Sequence, residues 1–277
     1  MAGRTARGLL ELTRPVNALV AGVLTLIGAF VAGGLFEALV PAGAAAGATV
    51  FATGAGNAIN DYFDREIDRI NQPDRPIPRG AVSPRGTLLF SLALFAGAIV
   101  LALALPVLAI AIALINLLLL VAYTQLFKGL PGVGNAVVAA LGGSTFLFGG
   151  AAVGNVTAPA VLFVLAALAT FTREVIKDVE DLAGDREEGL NTLPIAIGAR
   201  PALWVGVACL AVAVLASPLP YLLDALGVVY LLAVLPANAV MLWAAATSFR
   251  DPTAGQKRLK YGMFLAAAAF VLGRIAA

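Results

Sequence analysis

The sequence predicts an all-α, polytopic membrane protein of nine spanning helices, and three features carry that prediction. The 277 residues are 61% hydrophobic and only 12% charged, against roughly 25% charged residues in ordinary soluble domains. Apolar windows of about 20 residues, the length that crosses a bilayer core as a helix, recur from Val16 almost to the C-terminus. Lys and Arg are confined to alternate turns between those windows, the asymmetry expected when basic residues mark the cytoplasmic side.

Taken in order, the expected spans are 16–36, 41–60, 86–105, 106–124, 134–153, 158–177, 200–218, 222–249 and 259–275, separated by short polar or Pro/Gly punctuation. The first is too long for a signal peptide and leads into further spans, so it reads as a transmembrane helix. If the N-terminus is cytoplasmic, the N-terminal arm and the turns after spans two, four, six and eight hold every Lys and Arg except Arg274. The opposite loops carry only Glu37 and Asp224. The expectation is a multi-pass cell-membrane protein whose N-terminus and chemistry face the cytoplasm.

A single cysteine, Cys209, lies inside an apolar span and allows no intrachain disulfide; it reads as a small packing hydrophobe. Histidine is absent, which excludes an imidazole base or a His metal ligand. The net charge is +2; neither a nucleic-acid partner nor an obligate protein partner is inferred.

Two polar segments interrupt this apolar background. At 3.6 residues per turn, Asn57, Asp61, Asp64 and Asp68 occupy offsets 0, 4, 7 and 11 and share one helix face bordered by Asn60. Glu174, Asp178, Asp181 and Asp185 repeat the same four offsets. Each stripe ends a span on the cytoplasmic side and is followed by a Pro-Ile pair, Pro76-Ile77 or Pro194-Ile195, which suggests an internal duplication of spans 1–4 in spans 5–8.

An acidic stripe on a soluble helix is ordinarily a solvated face. Here the stripes continue membrane spans, where ionisable groups are costly and mark function, and like charges at i,i+4 repel. Arg65, Arg69, Arg75, Arg79, Arg173 and Lys177 can neutralise part of that charge. Carboxylate and amide oxygens without Cys or His describe a site for a hard cation, and Mg²⁺ is held through one or two carboxylates, waters and substrate phosphate oxygens. The bottom-up expectation is Mg²⁺ bridging to a diphosphate, with basic side chains as direct phosphate donors.

The pattern N-D-x-x-D-x-x-x-D at Asn60-Asp61-Tyr62-Phe63-Asp64-Arg65-Glu66-Ile67-Asp68, followed by DRPIPRG, resembles the first signature of the UbiA-type intramembrane prenyltransferases. KDVEDLAGDREEGLNTLP resembles their second, and AYTQLFKGLPGVGNAVVA, residues 122–139, is similar to their middle cytoplasmic segment. The resemblance covers nearly the whole chain. It implies a single domain over 1–277, built as helices around a central cavity that opens to lipid, with both signatures facing each other beneath a cytoplasmic cap.

It also implies the chemistry. Mg²⁺ held by Asn60, Asp64 and Asp68 on one side and Asp178, Asp181 and Asp185 on the other, with Asp61 beside them, would bind the diphosphate of a polyprenyl donor. Asp64, Asp68, Asp181 and Asp185 would be the catalytic carboxylates. Within the family the signatures look most like the archaeal lipid branch, which transfers a geranylgeranyl group to the sn-2 hydroxyl of geranylgeranylglyceryl phosphate. A phosphate-bearing, lipid-like acceptor needs cations, and Lys128, Arg173, Lys177 and Arg14, with Asn17, are the candidates. Asn57, Arg65, Arg75, Arg79 and Tyr123 complete the expected substrate-binding set. The base that deprotonates the acceptor stays open among Asp181, Asp61 and the diphosphate.

Other readings remain. An aromatic quinone precursor such as 4-hydroxybenzoate is the alternative acceptor. A cation-coupled secondary transporter would place its charges near mid-membrane, whereas these sit at span ends. A phosphatidyltransferase would carry a D-G-x-x-A-R core, which is absent. Tyr123 and its aromatic neighbours suit either a carbocation or an interfacial belt. Pro73, Pro76 and Pro78 suggest a cap in which Arg75 and Arg79 point at phosphate. Glycines such as Gly28, Gly142 and Gly143 read as helix-packing residues.

Overall fold

The structure, a computed structural model, describes residues 2–277, and those residues contain helices and no strand. Helix α1 (Ala2–Leu12) meets α2 (Pro15–Val31) at a 46° bend. Arg14 makes the corner in the left-handed region, φ 47° and ψ 66°, and Pro15 opens α2 at the position where its missing N–H is harmless. Leu9 and Leu12 of α1 pack against Ala58, Ile77, Ala81, Val82 and Phe90. The N-terminal arm is therefore a docked helix that helps build a cap at this end of the bundle.

Helix α3 (Leu39–Phe63) runs to the first acidic stripe and α4 (Arg65–Asn71) continues it. After the proline-bearing loop come α5 (Pro84–Leu103), α6 (Val107–Ala122) and a π-helical turn at Tyr123–Phe127. The second half begins with α7 (Val133–Ala152) and α8 (Thr157–Glu180), which carries the second stripe into α9 (Leu182–Glu187) and α10 (Leu193–Ile197). Helices α11 (Ala199–Ala216), α12 (Leu219–Leu222), α13 (Val228–Ser248) and α14 (Pro252–Ile275) close the bundle.

The count of nine spans is not confirmed. Six helices among the described residues are long and apolar enough to cross a membrane, or seven if the bent α1–α2 pair is one span. The windows expected at 106–124 and 259–275 coincide with helices that fall short for physical reasons. Helix α6 has 16 residues before its π turn, and α14 starts with a polar stretch holding Lys257, Arg258 and Lys260. Apolar side chains such as Val107 and Leu215, 83% and 80% exposed, cover an outer surface that only lipid would solvate without cost.

Helix α7 is the central element, packed against α2, α6 and α8. Its approach to α2 depends on two glycines: a β-carbon on Gly28 would lie 2.1 Å from the Phe146 carbonyl oxygen, and one on Gly149 only 1.9 Å from that of Thr25. Both obstacles are backbone, so neither can swing aside. Replacing Gly149 with Val is expected to cost about 1–3 kcal/mol or more through overpacking, read as a lowered melting temperature of the detergent-solubilised protein.

Candidate active site

Each acidic stripe straddles a helix break. Asp64 joins α3 to α4 at φ −81°, ψ 2°, and Asp181 joins α8 to α9 at φ −89°, ψ 5°. These are equivalent positions of the two stripes, so the expectation of one continuous helical face is corrected to a long helix, a hinge residue and a short helix. The break re-aims the last carboxylate of each stripe, Asp68 and Asp185, relative to the span that precedes it.

The first stripe is tied to the cap by ion pairs. Arg75 reaches Asp68 at 2.6 Å and Asp61 at 3.5 Å, and Arg14 reaches Asp61 at 2.8 Å. The Asp61 and Asp68 side chains are each 6% exposed, and unpaired charge at such burial is strongly destabilising. The left-handed corner at Arg14 is what brings its guanidinium there. Replacing Arg75 with Ala should loosen the 72–83 loop by about 1–3 kcal/mol, since its guanidinium is one-third exposed and partly screened. Faster amide exchange confined to that loop would report it.

Lys128 follows the π turn and donates to both Asp64 oxygens at 3.1 and 3.0 Å. π-helical insertions often re-aim functional side chains, and this one ends with Lys128 on the first stripe. Without substrate, the Lys128 ammonium expected at the acceptor phosphate is held on Asp64. Arg79, also expected at phosphate, pairs here with Glu11 of α1 and donates to the Asp74 carbonyl at 3.0 Å. Arg65 turns outward, over the Tyr62 ring at 4.9 Å and onto Glu66. Asn57 donates to the Thr13 carbonyl at 3.0 Å.

The second stripe has fewer cations. Asp178 accepts from Asn135 Nδ2 at 2.7 Å and Asp185 from Thr192 Oγ1 at 3.1 Å, whereas Lys177 acts on Asp181 and Asp185 only through space. Burial pushes the carboxyls of Asp181 and Asp185 above the usual carboxylate range, a desolvation cost that a bound cation relieves. Glu174 is paired with Arg173 at 2.7 Å. Asn135 makes an interhelical hydrogen bond, as an asparagine in a span is expected to, but its partner 43 residues away and the support from Thr192 were not legible, since neither residue carries a periodicity that points to a carboxylate.

The two stripes flank one space. Tyr123 lies within electrostatic reach of Asp64 from the first and of Glu174, Asp178 and Asp185 from the second, and Lys128 acts on Asp185 while bonded to Asp64. Beneath them are two apolar cavities. One, of about 690 Å³, is bounded by α3, α5, α6 and α7 and has Asn57, Arg173 and Glu174 among its polar lining. The other, of about 290 Å³, lies between α2, α8, α13 and α14, with Asn17, Arg173 and Lys260 among its polar lining. They share Gly142, Thr170 and Arg173.

The donor set fits a hard cation: it is oxygen only and largely anionic, with Asp61 and Asp68 buried and the others partly buried or exposed at the ends of α3 and α8. Among the described residues, no three acidic side chains converge closely enough to hold an ion alone. Such a site would require phosphate and water oxygens to complete the octahedron that Mg²⁺ demands, as a site that assembles around a diphosphate would.

Comparison with known proteins agrees with this geometry. The chain is 65% identical over 271 residues to the digeranylgeranylglyceryl phosphate synthase of Natronomonas pharaonis, covering 98% of each protein. A solved structure of a digeranylgeranylglyceryl phosphate synthase superposes with a TM-score of 0.85 at 35% identity, over 99% of both chains. A UbiA homologue from Archaeoglobus fulgidus, solved with DMAPP and Mg²⁺, shares the fold at a TM-score of 0.70 and 21% identity, over 97% of this chain and 98% of that one. The model of the UbiA prenyltransferase family matches residues 21–268, and with both acidic signatures arranged around one space above two apolar cavities, the chain belongs to that family.

Proposed function

We propose that the protein transfers a geranylgeranyl group from geranylgeranyl diphosphate to the sn-2 hydroxyl of geranylgeranylglyceryl phosphate, forming the second ether bond of archaeal membrane lipids. The observation that carries this reading is end-to-end likeness to synthases of that name, 65% identical with 98% of each chain covered, together with two apolar cavities meeting under one acidic site. Two long prenyl chains need two such spaces.

Mg²⁺ bound through Asn60, Asp64, Asp68, Asp178, Asp181 and Asp185 would supply neutralisation of the diphosphate leaving group, promoting cleavage of the allylic C–O bond. The chain's own residues do the rest. Arg75 and Lys128, now on Asp68, Asp61 and Asp64, are placed to move onto phosphate oxygens when cations relieve the carboxylates. Tyr123 presents an aromatic ring beside the developing allylic charge. The cap formed by α1, α4 and the 72–83 loop excludes water, which would otherwise capture the prenyl group. The basic turns put this face in the cytoplasm.

The test is transfer by the purified protein from radiolabelled geranylgeranyl diphosphate with Mg²⁺, offering geranylgeranylglyceryl phosphate or 4-hydroxybenzoate as acceptor. Labelled diether from the first, abolished by EDTA, is the expected result. Product from the aromatic acceptor alone would overturn the lipid reading.

A further inference from the structure

The two cavities differ in the charge at their polar ends. The larger carries members of both acidic stripes, Asn57 and Glu174, so a chain lying in it has its head beneath the carboxylates. The smaller has no Asp or Glu in its lining; its cationic groups are Arg173 and Lys260, with the Asn17 amide also in the lining. A head group that needs cations directly, rather than through a metal, finds a lysine beside the shared Arg173 at the smaller cavity, with no carboxylate in the lining to compete.

Both cations have donors to spare. Arg173 is held by Glu174 and by Gln256 Oε1 at 3.2 Å, yet its Nε is buried with no hydrogen-bond partner. A buried donor left unsatisfied costs about 1–3 kcal/mol, which an incoming acceptor oxygen would recover. Lys260 makes no ion pair among the described residues and touches only the Phe264 ring, at 5.8 Å. Its position is about two turns inside α14, where the side chain is exposed at the rim of the lining beside Met263, Phe264 and Ala267.

We infer that Arg173 and Lys260, with Asn17, form the anchoring site for the phosphate of the acceptor, whose prenyl chain lies in the cavity between α2, α8, α13 and α14, while the donor chain occupies the cavity between α3, α5, α6 and α7. This rests on the reading of the acceptor as a lipid phosphate. A phosphate monoester matches the site by charge and by its supply of acceptor oxygens. The two chains then approach from opposite sides of Gly142 and Thr170, and the acceptor head meets the donor head where Arg173 joins the cavities. Lys260 lies outside both acidic signatures, 75 residues beyond Asp185, and specifies the acceptor without contributing to donor cleavage.

Two pairs of measurements test this. Lys260→Gln should raise KM for geranylgeranylglyceryl phosphate by about tenfold or more while leaving donor KM within about twofold. With geranylgeranylglycerol, which lacks the phosphate, it should match the wild type. Ala166→Phe, which fills the smaller cavity, should shift preference to shorter acceptor chains with donor preference unchanged. Ala113→Phe, in the larger cavity, should do the reverse, so each variant is the folding control for the other. Binding of labelled geranylgeranylglyceryl phosphate is measured beside turnover. Lys260-dependent binding without transfer would sustain the anchor and refute only the reaction. A Lys260→Gln effect on donor KM, an equal loss with both acceptors, or both phenylalanine variants acting on the same substrate would overturn the assignment.

Discussion

Asp181→Asn is expected to lower the rate of prenyl transfer by about 10²–10³-fold, the scale on which loss of one preorganised electrostatic contact to a developing charge is felt. The substitution is nearly isosteric and tests charge alone. Asp181 sits at the hinge between α8 and α9, burial raises its carboxyl above the usual range, and Lys177 acts on it only through space. Asp181 is exposed and no ion pair is broken, so the melting temperature should hold. Single-turnover transfer measured beside a thermal melt separates the two effects. A rate loss below tenfold would remove Asp181 from the group that manages the diphosphate. Asp64→Asn, by contrast, strands Lys128 and should lose stability as well as rate.

Gly142→Leu is expected to abolish transfer while leaving the fold intact. Gly142 and Gly149 are a heptad apart on α7, yet their surroundings are opposite. A β-carbon on Gly149 collides with the α2 backbone, whereas one on Gly142 meets only the Thr170 side chain at 3.6 Å and opens onto both cavities. A leucine there fills the junction where the two substrates must meet. Each substrate alone should still bind within a few-fold of wild type, and loss should appear only in the ternary step. Retained transfer would show that the chains meet elsewhere.

The helical architecture and the acidic centre were legible in the sequence because both are local. Apolar windows set helices one by one, and the offsets of 0, 4, 7 and 11 placed four polar residues on each stripe without knowledge of the rest of the chain. Gly28 also met its expectation as a packing residue, but Gly142 proved to be a gap between cavities; glycine frequency cannot distinguish contact from space. What the sequence did not disclose was long-range. The Lys128–Asp64 pair spans 64 residues, Arg14–Asp61 spans 47 and Asn135–Asp178 spans 43, and no periodicity links such positions. Arg79 illustrates the same limit: its partner is Glu11, on a docked helix that the sequence reading treated as an arm. The hinges at Asp64 and Asp181 were missed because neither Gly nor Pro marks them.

The central claim is that two acidic stripes hold Mg²⁺ jointly with a diphosphate rather than alone. Mn²⁺, a spectroscopic substitute for Mg²⁺, can be titrated into the purified protein and followed by electron paramagnetic resonance, with and without a thiodiphosphate analogue of the donor that resists cleavage. Since no three acidic side chains converge among the described residues, binding should be weak without the analogue and strengthen at least about tenfold with it, a gain lost in both Asp64→Asn and Asp181→Asn. Tight Mn²⁺ binding in the absence of the diphosphate, or binding indifferent to both substitutions, would contradict the account.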